Sequence, residues 1–302
     1  MSMDWDKLKS FHAAAETGSL TGAGERLGIS QSAVSRQIAA LEDKLKATLF
    51  QRHARGLILT EAGRILHRAT AEMAASARTA ESALNDTGET PHGELHVTAP
   101  VAFGSFWLAP RLSRFLEQHN RRLRLRLSLD DKEFDLLTLE AECAIRLWAA
   151  DKADLIQRKL ATVRTSLYAS PEYLEKFGSP EGPEDLDRHN IIAYGDADEH
   201  MKVVNWAQRA GRDDRDPRDA ALQINNVNGM LRAVRGGCGI ADLPDYMVSR
   251  DAGLVKVLPE LEGPTFDLFF IYPIDLKRSK RIAAFRDFLT SEFAAAQREW
   301  MV

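Results

Sequence analysis

Three runs of helical periodicity open the chain. From Asp4 to Gly18, the residues Trp5, Leu8, Phe11 and Ala15 fall on one face, with Asp4 as a suitable N-cap and Gly18 as a stop. A short second helix is predicted over 21–27, closed by the tight break Gly28-Ile29. Ser30 then caps a third helix over 31–45, whose inward stripe is Val34, Ile38, Leu41 and Leu45. The opposite face of that helix carries Gln31, Ser32, Ser35, Arg36 and Ala39. Phe50, Leu57 and Leu59 can anchor a small hairpin, a wing, with Arg52 and Arg55 near its tip. Thr60 caps a long helix from Glu61 to about Leu84. Along it Ala62, Leu66, Ala69, Met73, Ser76 and Ala80 recur in alternating steps of four and three, a coiled-coil seam that favours self-pairing. Turn formers gather between Asn85 and Gly93, the expected hinge.

From about residue 94 onward, strand and helix patterns alternate. Leu95–Ala99, Leu123–Leu129 and Cys143–Trp148 read as strands, with an amphipathic helix over 106–118. A second block, from about Thr165 to Gly263, offers strands at 166–170, 191–194, 222–227 and 239–243 and a helix at 228–235. Phe266–Tyr272 is a late strand and Lys280–Trp300 a final helix. Repeated βαβ units imply an α/β architecture of two subdomains with a largely parallel sheet. Periodicity does not decide which sheet the late strand joins.

Charge sharpens this picture. The whole chain of 302 residues is −4, so no bulk positive field advertises nucleic acid. Residues 1–60, however, carry eight Lys and Arg against six Asp and Glu, leaving that segment at +2 and the remainder at −6. If any part meets DNA, it is the first segment. A helix, a glycine-containing turn and a second helix with a polar leading edge form a helix-turn-helix. Gln31 can pair with adenine and Arg36 with guanine in a major groove. The structural alternative leaves the serines as surface residues and Arg36 paired with an acidic neighbour.

Enzyme chemistry finds no foothold. Glycine-rich phosphate loops, HExxH, CxxC and GxSxG are all missing, and no catalytic role or cofactor is expected. The eight histidines are scattered without metal-ligand spacing, so no metal is expected. Two cysteines, Cys143 and Cys238, cannot form a disulfide framework, which suits a reducing cytoplasm. No stretch approaches a membrane span and no secretory signal is evident.

The N-terminal residues closely resemble the LysR-type transcriptional regulators. The likeness runs through Phe11–Leu20, Ala23, Arg26–Ile38, Leu41-Glu42, Leu45, Leu49-Phe50, Arg52, Arg55-Gly56 and Leu59–Gly63. It implies a winged helix-turn-helix over 1–60, reading double-stranded promoter DNA with Gln31, Ser32, Ser35 and Arg36 and touching it through the wing at Arg52 and Arg55. It also implies a linker and dimerisation helix with hinge over 61–92, giving a homodimer, with a tetramer a further family habit. Looser matches follow at Ala99-Pro100, Phe103-Gly104, Leu108–Pro110, Ala144–Arg146, Ala169–Pro171 and Gly237–Ile240. These imply a two-lobed effector domain over 93–302, similar to type II periplasmic binding proteins. Lobe 1 would hold about 93–164 and 266–302, and lobe 2 about 165–265, the tail returning to lobe 1. A small-molecule effector would sit between the lobes against Pro100, Val101, Ala102, Phe103, Arg146, Asn226 and Val227.

Three departures from the family change expectations. Gly24 stands where Ala is usual, which predicts a looser second helix. Ala39 and Ala54 replace longer polar or basic residues, suggesting fewer contacts per half-site. Val101 and Ala102 replace a hydroxyl residue, so a ligand would lean on backbone N–H groups. Arg146 could then pair with a carboxylate or be bonded to local carbonyls. The expected effector is a small organic anion or partly apolar metabolite. A solute-binding protein or small-molecule enzyme with a fused helical head is the competing reading.

Overall fold

The computed structural model describes residues 4–53, 56–85, 90–120, 122–131, 136, 141–195, 205–213, 216–248 and 253–300. The chain divides into two compact units, the first reaching residue 81 and the second beginning at residue 82.

In the first unit the helices form where the caps dictate. Helix α1 spans Trp5–Thr17 between Asp4, whose carboxylate accepts the Asp6 N–H, and a left-handed Gly18. Helix α2 spans Leu20–Leu27 and starts one residue earlier than the periodicity predicts, because Ser19 accepts the Gly22 N–H. Helix α3 spans Gln31–Leu45 behind Ser30, whose hydroxyl accepts the Ala33 N–H. Val34, Ile38 and Leu41 are buried with Leu8, Phe11 and Ala23 in one apolar core. Leu45 is instead exposed, since the last turn of α3 runs past the core it was expected to join. The Ser10 hydroxyl donates to the Gln37 side chain, pinning α3 to α1.

Gly24 sits where a side chain would not fit. It is buried, and a Cβ there would stand 2.7 Å from the Ile29 carbonyl oxygen. The missing side chain lets the turn before α3 close onto α2, and the Ile29 N–H donates to the Gly24 carbonyl at 3.0 Å.

Strands β1 (Phe50–His53) and β2 (Gly56–Leu59) pair antiparallel as the wing. Glu42 accepts the amides of both Leu49 and Phe50, and the Leu57 N–H donates to the Gly18 carbonyl. The wing is thus tied to α3 at one end and to the α1–α2 corner at the other. Helix α4, Glu61–Asn85, follows directly, its start capped by the Thr60 hydroxyl accepting the Gly63 N–H at 3.0 Å. Ala62 and Leu66 of the predicted seam pack on the head core, whereas Ala69, Met73, Ser76 and Ala80 are exposed.

Gly63 is where α4 passes the wing, and a Cβ there would lie 2.1 Å from the Leu49 carbonyl oxygen. Gly63→Ala is therefore expected to destabilise the head by about 1–3 kcal/mol through overpacking. Thermal unfolding should show a fall of several degrees, and an unchanged midpoint would contradict the close approach.

The second unit is built on one curled sheet, in the order β10-β6-β11-β5-β3-β4, with β9 also pairing β6. Strands β3 (Gly93–Ala99), β4 (Leu123–Leu129) and β5 (Cys143–Arg146) run parallel. Alternation in β4 leaves Arg122, Arg124 and Arg126 on a solvated face. Strand β6, Leu155–Ala169, is much longer than the predicted 166–170. Its first two-thirds pair antiparallel with β11 (Thr265–Pro273), and its last residues pair with β9 (Ala241–Pro244) and β10 (Val255–Val257). The sheet is therefore mixed rather than largely parallel, and the late strand joins β5. A separate parallel pair, β7 (Ile192–Tyr194) and β8 (Leu222–Ile224), lies in the other lobe.

Four helices of seven or more residues clothe these sheets among the described residues. A continuous helical run over 101–118, α5, includes a π-turn at Gly104–Leu108 and begins five residues before the predicted start. Helices α6 (Pro171–Phe177) and α7 (Val227–Arg235) belong to the second lobe, and α8 (Lys280–Trp300) returns to the first. Trp107, Phe103 and Phe293 stack where α5 meets α8, the Trp107 and Phe293 rings 4.1 Å apart. Leu167, Tyr173, Ile191 and Ile240 centre the second lobe.

Candidate functional site

The leading face of α3 is set by its opposite stripe. With Val34, Ile38 and Leu41 buried, the 3.6-residue period turns Gln31, Ser32, Arg36 and Ala39 outward, all exposed, and leaves Ser35 half-buried. Ser30 and Ser32 hydroxyls lie 3.0 Å apart at the helix start. The first-turn amides and the helix dipole add partial positive charge there. Among the described residues Arg36 has no ion-pair partner, so the acidic-neighbour alternative finds no support. Arg52 lies on β1 opposite Leu57 in register. Arg55 lies outside the described residues, as does Ala54.

Within the second unit, the start of α5 lies against α7. Pro100 is buried immediately before α5, followed by half-buried Val101 and buried Ala102 and Phe103. Phe103 is fully inside the aromatic stack with Trp107 and meets Tyr246 edge-on at 5.8 Å. Asn226 caps α7 by accepting the Gly229 N–H, and Val227 is buried beside it. Arg146, at the end of β5, is buried and donates to the Ile145 carbonyl at 2.9 Å.

Comparison with known proteins settles what these two units are. Residues 5–64 match the family model "Bacterial regulatory helix-turn-helix protein, lysR family", and residues 88–294 match "LysR substrate binding domain". The chain belongs to the LysR family. An HTH-type transcriptional regulator from Xanthomonas campestris pv. campestris is 32% identical over 96% of this chain and 86% of its own length. The HTH-type transcriptional regulator CrgA of Neisseria meningitidis is 30% identical over 97% of this chain and 98% of its own. The solved structure of CrgA, at 28% identity, superposes with a TM-score of 0.62 over 97% of this chain and 99% of that one. The family is one of transcriptional regulators, and the reading as a fused solute-binding protein or enzyme does not fit it.

Several polar groups of this LysR-family chain escaped the sequence reading. Asp131 Oδ1 accepts the Val101 N–H at 3.0 Å, so the amide at the start of α5 is engaged by the protein's own carboxylate. Burial holds the Asp131 carboxyl above the usual carboxylate range. Burial and the neighbouring Asp131 charge push the Tyr246 hydroxyl up. Thr98 Oγ1 and Asn228 Oδ1 are buried with no hydrogen-bond partner among the described residues, which makes them available to a bound molecule.

Three polar side chains, one far from the other two in sequence, meet in the head. The histidines are scattered in sequence, but folding brings His12 and Glu16 of α1 against His67 of α4, with one ligating atom from each within 4.8 Å of the others. Cys143 is buried, with its thiol pushed well up by that burial, and Cys238 is exposed. Among the described residues no helix is long and apolar enough to cross a membrane.

Proposed function

We propose that this LysR-family transcriptional regulator reads promoter DNA through Gln31, Ser32, Ser35 and Arg36. The observation that carries this is the exposed polar face of α3, held on a head whose opposite stripe is buried. Arg52 and Arg55 would touch the backbone or minor groove from the wing. The organisation that fits is a DNA-reading head over 1–60, a linker helix and hinge over 61–92, and an effector domain over 93–302 working in the cytoplasm. The exposed half of the α4 seam supports pairing with a second copy, which would place two reading helices in successive major grooves about 34–36 Å apart or a multiple of that. Fluorescence anisotropy with the chain's own upstream region against scrambled duplex tests this. Preference for the native fragment at moderate salt is expected, and equal affinity for both would sink it.

The effector would lie between the lobes, against Pro100–Phe103, Arg146, Asn226 and Val227. An anion seated on the Val101 amide would have to displace Asp131. The polar end of the effector is therefore a hydrogen-bond donor or a cation at that point, on an otherwise apolar molecule. Matched sets of organic acids and amines in a thermal-shift assay should show stabilisation by amines or neutral donors. Asp131→Asn should weaken that binding about tenfold or more, since a hydrogen bond to a charged group contributes about 1.5–3 kcal/mol. Stabilisation by acids alone would reverse the assignment.

A further inference from the structure

His12 and Glu16 stand one turn apart on α1, so their side chains share a face. That face meets α4 at His67. His67 Nε2 lies 3.2 Å from Glu16 Oε1. The His12 and His67 rings lie nearly parallel, with centroids 5.4 Å apart. From these residues we propose that the head binds one divalent transition-metal ion of the zinc class between α1 and α4, held by His12, Glu16 and His67.

The donor set is right for that class. Two imidazoles and one carboxylate are borderline ligands that suit Zn²⁺, Co²⁺ and Ni²⁺ and leave one position for water. Bonds of about 2.0–2.2 Å in a tetrahedral site place ligand atoms about 3.3 Å apart. The His67–Glu16 pair already has that spacing, and the third atom needs to close by at most about 1.5 Å from the 4.8 Å limit that encloses all three.

The surrounding groups fix the roles of the atoms. The Thr70 hydroxyl donates to the His67 carbonyl at 3.0 Å, so its contact with His12 Nδ1 at 3.4 Å requires that nitrogen to carry the hydrogen. The lone pair of His12 then sits on Nε2, which would be the ligating atom, in the usual arrangement of a metal-bound histidine steadied by an outer partner. The two oxygens of Glu16 are divided. Oε1 faces His67, while Oε2 faces Arg26 of α2 at 3.7 Å, so the carboxylate binds through one oxygen. All three side chains are partly exposed, and a groove lined by Trp5, Lys9, His12 and Thr70 opens beside them as an entry path. A bound ion would clamp the linker helix to the recognition head, making the head's stiffness depend on the metal.

The test uses the full chain, without a histidine tag, stripped with chelator and titrated with Zn²⁺ against a chromophoric chelator. A parallel titration with Co²⁺ reads the visible d–d band of a tetrahedral site. One ion per chain is expected, with a Zn²⁺-dependent rise in the head's unfolding temperature. His12→Gln and His67→Gln should each lower affinity at least tenfold and abolish the Co²⁺ band, while Cys238→Ser leaves both unchanged. Thr70→Val, a positioning change, should weaken binding about 10–100-fold with a shifted band. Circular dichroism confirms that each variant is folded. Undiminished affinity in both histidine variants, or no metal bound by the folded chain, would overturn the site. No DNA enters these measurements, so their outcome is separate from that of the DNA-reading assignment.

Discussion

Arg36→Ala is expected to weaken operator binding by about 1–3 kcal/mol per half-site, roughly 5- to 150-fold, if the guanidinium reads a guanine bidentately. A symmetric dimer carries the change twice, so loss from a full operator can approach the square of that factor. Gln31→Ala should act in the same direction through adenine. Both side chains are exposed, so neither variant should move the unfolding midpoint appreciably. Anisotropy titrations over a range of salt separate the two ways Arg36 could act. A base contact loses affinity on the operator and keeps the affinity for scrambled DNA. A phosphate contact loses affinity on every sequence and lowers the salt slope by about one per contact. Unchanged operator affinity in both variants would remove α3 as the reading element.

The second large effect is on stability against pH. Asp242, on β9, is 1% exposed, and its two oxygens accept the Trp206 and Ala207 amides at 3.3 Å. Burial pushes its carboxyl up to about 7 from 3.8, beyond what those hydrogen bonds recover. The folded state then binds a proton that the unfolded state releases between about pH 4 and 7. Stability from this group is fully present below pH 4 and is lost as pH rises through 7. A shift of that size corresponds to something on the order of 4 kcal/mol. Carboxylates with lowered values, such as Asp187 between Arg212 and Arg218, act in the opposite direction at lower pH. The comparison that isolates Asp242 is therefore wild type against Asp242→Asn, which mimics the protonated form. The stability gap between the two should move in the variant's favour as pH rises from about 4 to 8, by up to about 4 kcal/mol. A constant difference across that range would show that Asp242 titrates normally.

The head was legible from sequence because its instructions are local. Asp4, Gly18, Gly28 and Ser30 cap adjacent elements, and the stripe Val34-Ile38-Leu41 faces inward by its period alone. Leu45 misled because a period cannot show where the core ends. In the second unit, residues 155–164 were missed for a different reason. That half of β6 pairs only with β11 and so forms an edge, where Arg158 and Lys159 stay exposed and obscure the alternation. The long-range placements could not be read at all. Asp131 reaches Val101 across 30 residues and His67 reaches Glu16 across 51, distances over which no spacing rule operates. Gly24 shows the reverse failure, since helix propensity described its cost but not the carbonyl that needs the space.

Strands β6 and β11 lie side by side along the passage between the lobes, hydrogen-bonded from Thr265 opposite Arg164 to Pro273 opposite Leu155. A paired ribbon of this kind is stiff against sliding, because translation would rupture many rungs together. It is compliant in torsion, since strands tolerate a range of twist. Twisting of one end of the ribbon against the other is therefore easier than a slide of one strand along its neighbour. The irregular step between Leu268 and Phe269 is the place where that twist is most easily taken up.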